Sequence, residues 1–549
     1  MNTRCCVWLL AAIGWSCLDR PLWAADLNER NETAAATDAG RPDAGRAGAD
    51  ADGLAGAQAA RLASARLAAL ESITAEDIQR HVEALADDTF EGREAGSRGG
   101  RAAAGYLGRE YQKNKLAGGG TGGGYYQVFG PQYRNLLGLL PGSDPLLADE
   151  VIVVGAHYDH VGYGNATNSY GPVGYIHNGA DDNASGTAGL LEVVEALASM
   201  ESRPKRSILF ALWDGEEKGL LGSRHWVNEP TLALERVTIM LNMDMIGRLR
   251  NDRLEVYGIR SSRGLRRMVS LANRDSNLVL DFQWDMREDS DHFSFYDRGL
   301  PVLMLHTGLH EDYHRPGDDA EKINLAGAER VGRLLFNMLI DLADRPDISG
   351  FRQASHSESA AARRALERPL PPLPGRLGIT WDLKMDAEGR GLWVTRVAAG
   401  SPAALGGIRP GDRIVRFDGR PVDRGAALRA MALAAESPVE VSLVRAPASE
   451  PIELSLQLRG DPVRLGLSWR ADDAEPGSVL LTRVVPDSPA ARAGLRVQDR
   501  IYQVSGQSVA SSDELARLLL ESGGPVELAV ERQGRVSSVL LPPSGFAGE

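Results

Sequence analysis

Five stretches of this chain set imidazole and carboxylate groups close together. His157 and Asp159 stand as His-x-Asp, and Asp181-Asp182-Asn183 follow. After them come the adjacent pair Glu216-Glu217, then Asp244, then His314 within HEDYHRPGDD. Imidazole and carboxylate are ligands that zinc accepts, and hydrolases with two metal ions need one carboxylate shared between ions ~3.5–4 Å apart. A Glu-Glu pair lets one residue bind metal while its neighbour handles protons. An Asp two residues after a ligating His is placed to orient it. The nearby His160, His177, His292, His306 and His310 read instead as serving local hydrogen bonds, Asp181 as a turn residue, and Asp291 as an outer-shell candidate.

Most of these groups come where short apolar runs end. VIVVGAH (151–157), SILFALW (207–213), VTIMLNMD (237–244) and PVLMLH (301–306) are near-continuous apolar segments of strand length, the pattern of strands covered on both faces. Between the first two, Gly189-Leu190-Leu191, Val193, Val194 and Leu197 form an apolar stripe at helical spacing. This alternation predicts an α/β domain over residues 73–345, with a mostly parallel central sheet flanked by helices. Loops converge at the carboxyl edge of such a sheet, where ligands are expected. Ordered structure is expected to begin with a helix near Ile73 to Leu85, with Thr74 as N-cap and Asp77 three residues on. AGGGTGGGYY (117–126) lacks the Lys-Ser/Thr of a phosphate loop and reads as a flexible connection.

A chain of 549 residues exceeds one ordinary core, so two to four domains are expected. The hydrophobic fraction is 43%, the charged fraction 25% and the net charge −13, which argues against nucleic acid or an anionic membrane as partner. Arg4 precedes CVWLLAAIGW, a run too short to span a bilayer, and Ala24 offers a cleavage site. Residues 1–24 therefore read as a signal peptide, which implies a secreted or periplasmic protein of a bacterial envelope. No later run approaches ~20 apolar residues, so no membrane span is expected after cleavage. Cys5, Cys6 and Cys17, all the cysteines present, fall inside this leader. A mature chain without thiols has no disulfides and no cysteine metal site. Residues 25–72, rich in Ala, Gly and Asp, read as a disordered linker, and 346–373 as a second linker.

An internal repeat follows. Arg376-Leu377-Gly378-Ile379 precedes VTRVAAGSPAALGGIRPGDRIVRFDGRPV, and Arg464-Leu465-Gly466-Leu467 precedes LTRVVPDSPAARAGLRVQDRIYQVSGQSV. Two copies about 88 residues apart predict two small β-rich domains, 374–459 and 460–543, not a solenoid.

GAHYDHVG, NGADDNASGTAGLLE, FALWDGEEKGLLGS, LNMDMIGR and TGLHEDYHRPGDDAEKI, in this order, resemble the metal-site blocks of the family-28 zinc metallopeptidases. This family includes bacterial leucyl-type aminopeptidases and glutamate carboxypeptidases. HVEALADDTFEGREAGSRGGRAAAGYL is similar to its N-terminal segment. One block alone would be weak, but five in order are specific. The resemblance implies two Zn²⁺ per chain, with Co²⁺ or Mn²⁺ able to replace them. It implies that Asp182 bridges the ions, that His157 and Asp244 complete one site, and that Glu217 and His314 complete the other. Glu216 would be the general base, and Asp159 would orient His157. Only about 20 residues separate Tyr125-Tyr126-Gln127 from VIVVGAH, so the protease-associated domain inserted there in many relatives is missing.

The repeats resemble PDZ domains of bacterial envelope proteases. This implies that the Leu377-Gly378-Ile379 and Leu465-Gly466-Leu467 loops bind the carboxyl termini of peptides added as a strand; the alternative is a spacer or an interface packed on the peptidase. The leading expectation is an aminopeptidase acting on peptides or proteins. A carboxypeptidase of the same family, an inactive peptidase scaffold with PDZ recognition, and a one-zinc glutaminyl cyclase stand as alternatives.

Overall fold

The structure, a computed structural model, describes residues 60–382, 391–423, 425–522 and 524–542. The expected leader, its three cysteines and the linker up to residue 59 lie outside the described residues. No helix among the described residues is long and apolar enough to cross a membrane.

A nine-stranded sheet organises the first half of the chain. Its strands are β1 (Ala117–Gly118), β2 (Tyr126–Phe129), β3 (Tyr133–Leu140), β4 (Val151–His157) and β5 (Ser207–Trp213), then β6 (Val237–Met243), β7 (Arg253–Tyr257), β8 (Val279–Phe282) and β9 (Val302–His306). Their order is β1-β3-β5-β4-β6-β9-β7-β8, with β2 paired to β3. The central strands β5, β4, β6 and β9 run parallel. The margins are antiparallel where β3 meets β5 and where β7 meets β9. Every residue of β4 and β5 is buried, which is why these strands carry continuous apolar runs and no alternation. Each large aliphatic side chain buried here contributes about 1.5–3 kcal/mol. The helices Gly186–Ser199 and Leu325–Asp344 cover the sheet, with Leu190, Val194, Leu335 and Leu339 in one core with Ile152 and Val154.

The helix Ala75–Leu85 begins as expected: the Thr74 side chain accepts a hydrogen bond from the Asp77 amide. Two expectations need correction. The 25–72 linker is too long, because residues 61–71 are already helical and Ala69 and Leu70 are buried in the core. Alanine and leucine are strong helix formers, and Leu70 packs into the core while Leu67 stays exposed. The glycine-rich stretch is a compact turn and not a free connection. β1 pairs with β3, and a Cβ on Gly118 would lie 2.0 Å from the Gly123 carbonyl oxygen, so the backbone approaches too closely for any side chain.

Two six-stranded antiparallel sheets follow, each a path of five strands with one short extra strand paired to it. They span Ile379–Leu456 and Leu467–Leu541, and each encloses its own apolar cluster.

The second module is docked on the first sheet's domain through buried ion pairs. Arg260 donates to both oxygens of Asp472 at 2.7 and 2.8 Å, and Arg500 donates to the same carboxylate at 2.8 Å. Arg266 pairs with Glu531 at 3.0 and 3.1 Å. Glu475 accepts from the amides of Arg266 and Arg267, which open the helix Leu265–Ala272. The Leu280 amide donates to the Gln533 carbonyl. The expected 346–373 linker joins this contact instead of running free: Glu358 pairs with Arg260 and Arg352, and the Leu370 amide donates to Thr482 O. Removing one member of a buried ion pair strands its partner, at a cost of roughly 3–5 kcal/mol. Asp472→Ala should therefore destabilise the whole chain by about that amount in urea unfolding. An unchanged midpoint would mean the docking contributes nothing.

Candidate active site

The groups singled out in the sequence meet at the carboxyl edge of the parallel strands. His157 ends β4, Glu216 and Glu217 lie just beyond β5, Asp244 follows β6, and His314 sits in the loop after β9. Asp182 comes from the segment Ala180–Ser185 that leads into the helix Gly186–Ser199. Parallel strands deliver all these loops to one edge.

Asp182 stands between two histidines. Its Oδ1 lies 3.3 Å from His157 Nε2 and its Oδ2 3.1 Å from His314 Nε2. His157 Nε2 is also 3.3 Å from Asp244 Oδ1, and His314 Nε2 3.1 Å from Glu217 Oε2. The donor atoms fall into overlapping sets within 4.8 Å of one another: His157 with Asp182 and Asp244; His160, Asp182, Glu217 and His314; and His157 with Glu216 and Glu217. Asp182 is common to the first two. His157, Asp159, His160, Asp182 and Asp244 are all buried. The set is all nitrogen and oxygen, which suits zinc. Buried His314 Nε2 has no aligned hydrogen bond although two carboxylates flank it, the situation a cation between the three would resolve.

The charges act on one another. Burial pushes Glu216 well above the usual carboxylate range, and the neighbouring Glu217 and Asp291 push the same way. Burial alone would lower His314, but the flanking Asp182 and Glu217 carboxylates outweigh it and raise the ring to about 11. His157 is likewise raised well above the ordinary range, against the effect of burial, by Glu216 and Asp244. Such a site holds positive charge tightly.

Asp159 works differently from the expected geometry. Its main-chain carbonyl lies 3.1 Å from His157 Nδ1, whereas its carboxylate is 3.9 Å away and accepts the Glu216 amide at 3.1 Å. The His-x-Asp turn folds the backbone under the ring before the side chain can reach it. With Nδ1–H given to that carbonyl, Nε2 is left facing Asp182 and Asp244.

Of the residues set aside as local, His177 and His306 make such bonds. His160 makes one to a member of the site, with Nδ1 2.8 Å from Glu217 Oε1. His292 does not fit: both ring nitrogens are buried without a partner, and burial pushes it down to about 4. Asp181 is more than a turn residue, since it is buried, accepts from the Gly247 amide at 2.6 Å and lies 3.2 Å from His310 Nε2. Asp291 is fully buried, and burial raises it to about 7 beside the charges of His157 and Asp244.

Three positioning groups escaped the sequence analysis. Asp318 Oδ2 accepts the amides of Asp181 and Asp182 at 2.9 and 3.0 Å. Buried Arg93 donates to the carbonyls of Tyr158, Asn178 and Gly179, tying the His157 loop to the Asp182 loop. Tyr313 stacks on His314 with ring centroids 4.0 Å apart. Asp318 and Tyr313 lie inside a block already quoted, but neither has a spacing that marks it.

In each small module a loop glycine takes a positive φ, 78° at Gly378 and 81° at Gly466. A Cβ there would come within 2.3 or 2.2 Å of Ser401 or Ser488. A cavity of about 200 Å³ in the first module is lined by Leu377, Ile379, Trp381, Leu428, Ala432 and Leu433. Arg376, buried beside it, gives its guanidinium to the carbonyls of Ala432, Leu433, Ala435, Arg459 and Gly460.

The family model of Peptidase family M28 matches residues 135–339, and the PDZ domain model matches 393–445 and 480–532. The chain contains a Peptidase family M28 domain followed by two PDZ domains. It is similar to leupeptin-inactivating enzyme 1 of Streptomyces exfoliatus, 28% identical over 51% of this chain and 60% of that protein. It is also similar to aminopeptidase YwaD of Bacillus subtilis, 29% identical over 34% of this chain and 40% of that one. The chain thus spans 40–60% of these two relatives' lengths. Among solved structures, LapA aminopeptidase from Legionella pneumophila is 20% identical with a TM-score of 0.42, covering 51% of this chain and 74% of that one. BSAP, a zinc aminopeptidase from Bacillus subtilis, is 16% identical with a TM-score of 0.41, covering 51% and 98%.

Support of the M28 ligand loops by Asp318 gives a direct expectation. Asp318→Ala frees the Asp181 and Asp182 amides and should weaken zinc affinity about 10–100-fold, read by competition with a chelator. Unaltered affinity would show that this carboxylate does not position Asp182.

Proposed function

We propose that the protein is a two-zinc aminopeptidase that removes residues from the N-termini of peptides outside the cytoplasm. The observation that carries this reading is the position of Asp182, with one oxygen toward His157 and the other toward His314. That is the arrangement of a carboxylate shared between two cations. His157 and Asp244 would hold one ion, and Glu217 and His314 the other. Zinc held there would supply Lewis-acid polarisation of the scissile carbonyl and a water acidic enough to ionise near neutral pH.

The chain's own groups do the rest. Glu216 takes a proton from the attacking water and returns it to the leaving amine. Its amide is fixed by Asp159, whose carbonyl also sets the His157 tautomer. Arg93 and Asp318 hold the loops in register without touching substrate. The matched M28 domain and the aminopeptidase names among the relatives support an exopeptidase acting at the amino end. Secretion rests on the leader sequence alone.

The two PDZ domains are proposed to capture peptide carboxyl termini at the loops Leu377–Ile379 and Leu465–Leu467. In the second, the docking residues Asp472, Glu475, Arg500 and Glu531 are distinct from its loop and from the facing helix Ser512–Glu521. Docking and peptide capture can therefore coexist.

Glu216→Gln should lower turnover of an aminoacyl anilide about 10²–10⁴-fold while zinc content stays that of the parent. The parent should lose all activity on the N-acetylated anilide. Turnover surviving Glu216→Gln would remove this glutamate as the base, and equal rates on free and acetylated substrates would remove the aminopeptidase assignment.

A further inference from the structure

The loop between β4 and the Asp182 segment carries exposed apolar surface. Tyr163, Tyr170, Val173 and Tyr175 are 48%, 64%, 51% and 63% exposed. Single exposed apolar residues are ordinary, but several large ones on one loop beside a site mark a recognition surface.

The loop is pinned in place. The Tyr170 amide donates to the His314 carbonyl at 3.1 Å, and Arg315 donates to the Tyr170 and Gly171 carbonyls at 2.7 and 3.2 Å. The Gly174 amide donates to Tyr163 O at 2.8 Å, and Ser169 Oγ is bonded to His177 Nε2 at 2.7 Å. The Tyr170 ring lies against the His314 ring at 5.9 Å with 30° between the planes, and 5.9 Å from Tyr313. His314 at the same time faces Asp182 and Glu217. Tyr170 thus stands beside a proposed metal ligand, with most of its surface free.

We infer that Tyr170 and its loop form a specificity rim for a large apolar side chain on the leaving side of the scissile bond, the second residue of the substrate peptide. This rests on the aminopeptidase reading above. Openness decides the side. An enzyme that removes one residue closes the space beyond the N-terminus, whereas the departing chain must run out into solvent. A rim this exposed borders the departing chain. The Arg315 guanidinium beside Tyr170 is engaged with backbone carbonyls, so the contact at Tyr170 selects for apolar surface and not for charge.

The test compares release of leucine from Leu-Phe-Ala and Leu-Gly-Ala by the zinc-loaded full chain. The parent should prefer the phenylalanine peptide about tenfold in kcat/KM, with the difference in KM. Tyr170→Ala should bring the ratio near one, and Tyr170→Leu, which restores apolar contact, should recover most of it. Zinc content and circular dichroism establish that the variants are folded; should Tyr170→Ala fail to fold, Tyr175→Ala on the same loop is read by the same ratio. A tenfold preference that survives in the alanine variant, or a parent ratio near one, overturns the rim. A parent that releases leucine from neither peptide overturns the aminopeptidase reading and the rim with it.

Discussion

Negative charge crowded into one half-enclosed crevice is the constraint around which the M28 domain is built. Asp159, Asp182, Glu216, Glu217, Asp244 and Asp291 lie at the same sheet edge, and burial and mutual repulsion push Asp159, Glu216 and Asp291 above the ordinary carboxylate range. Two like charges ~4 Å apart repel by about 4 kcal/mol at the effective dielectric of a protein surface. No fold keeps such a group together for packing reasons. A divalent cation would neutralise it, and the parallel strands give stiff, converging loop ends that hold the side chains in place. The groups behind them serve the same end: Asp318 grips the two amides next to Asp182, and Arg93 ties together the loops on either side.

The tandem PDZ domains share a sequence pattern but not a setting. The second is joined to the M28 domain by Arg260–Asp472 and Arg266–Glu531, buried and doubly hydrogen bonded, with the segment between the M28 and PDZ domains folded into the same contact through Glu358. The first offers a lined cavity beside a glycine loop. One repeat is thus fixed to the M28 domain, and the other carries a lined cavity beside its loop.

Much of this was legible in the residues. The apolar runs at 151–157, 207–213, 237–244 and 301–306 became β4, β5, β6 and β9 with ends displaced by a residue at most, because strands covered on both faces leave an unbroken apolar signal. The five side chains named for metal fall into overlapping groups whose donor atoms lie within 4.8 Å of one another, because strand ends and the loops after them converge at one edge of the sheet. The marginal strands β7 and β8 are short and partly exposed, and short alternating segments carry little signal. The ion pairs of the docked PDZ domain join residues more than 200 positions apart, which no local pattern announces. Tyr170 escaped for a related reason: a tyrosine in a polar loop looks like any other until the fold brings it against His314. Arg93 and Asp318 act through main-chain groups of other loops, so their partners leave no mark in the sequence.

The most direct measurement is X-ray absorption at the zinc edge together with metal content on the purified full chain. The account predicts two zinc ions per chain, a zinc–zinc vector of ~3.5–4 Å, and a first shell of nitrogen and oxygen without sulfur. A single zinc per chain, or two ions with no such vector, would contradict the sharing of Asp182 on which the mechanism stands.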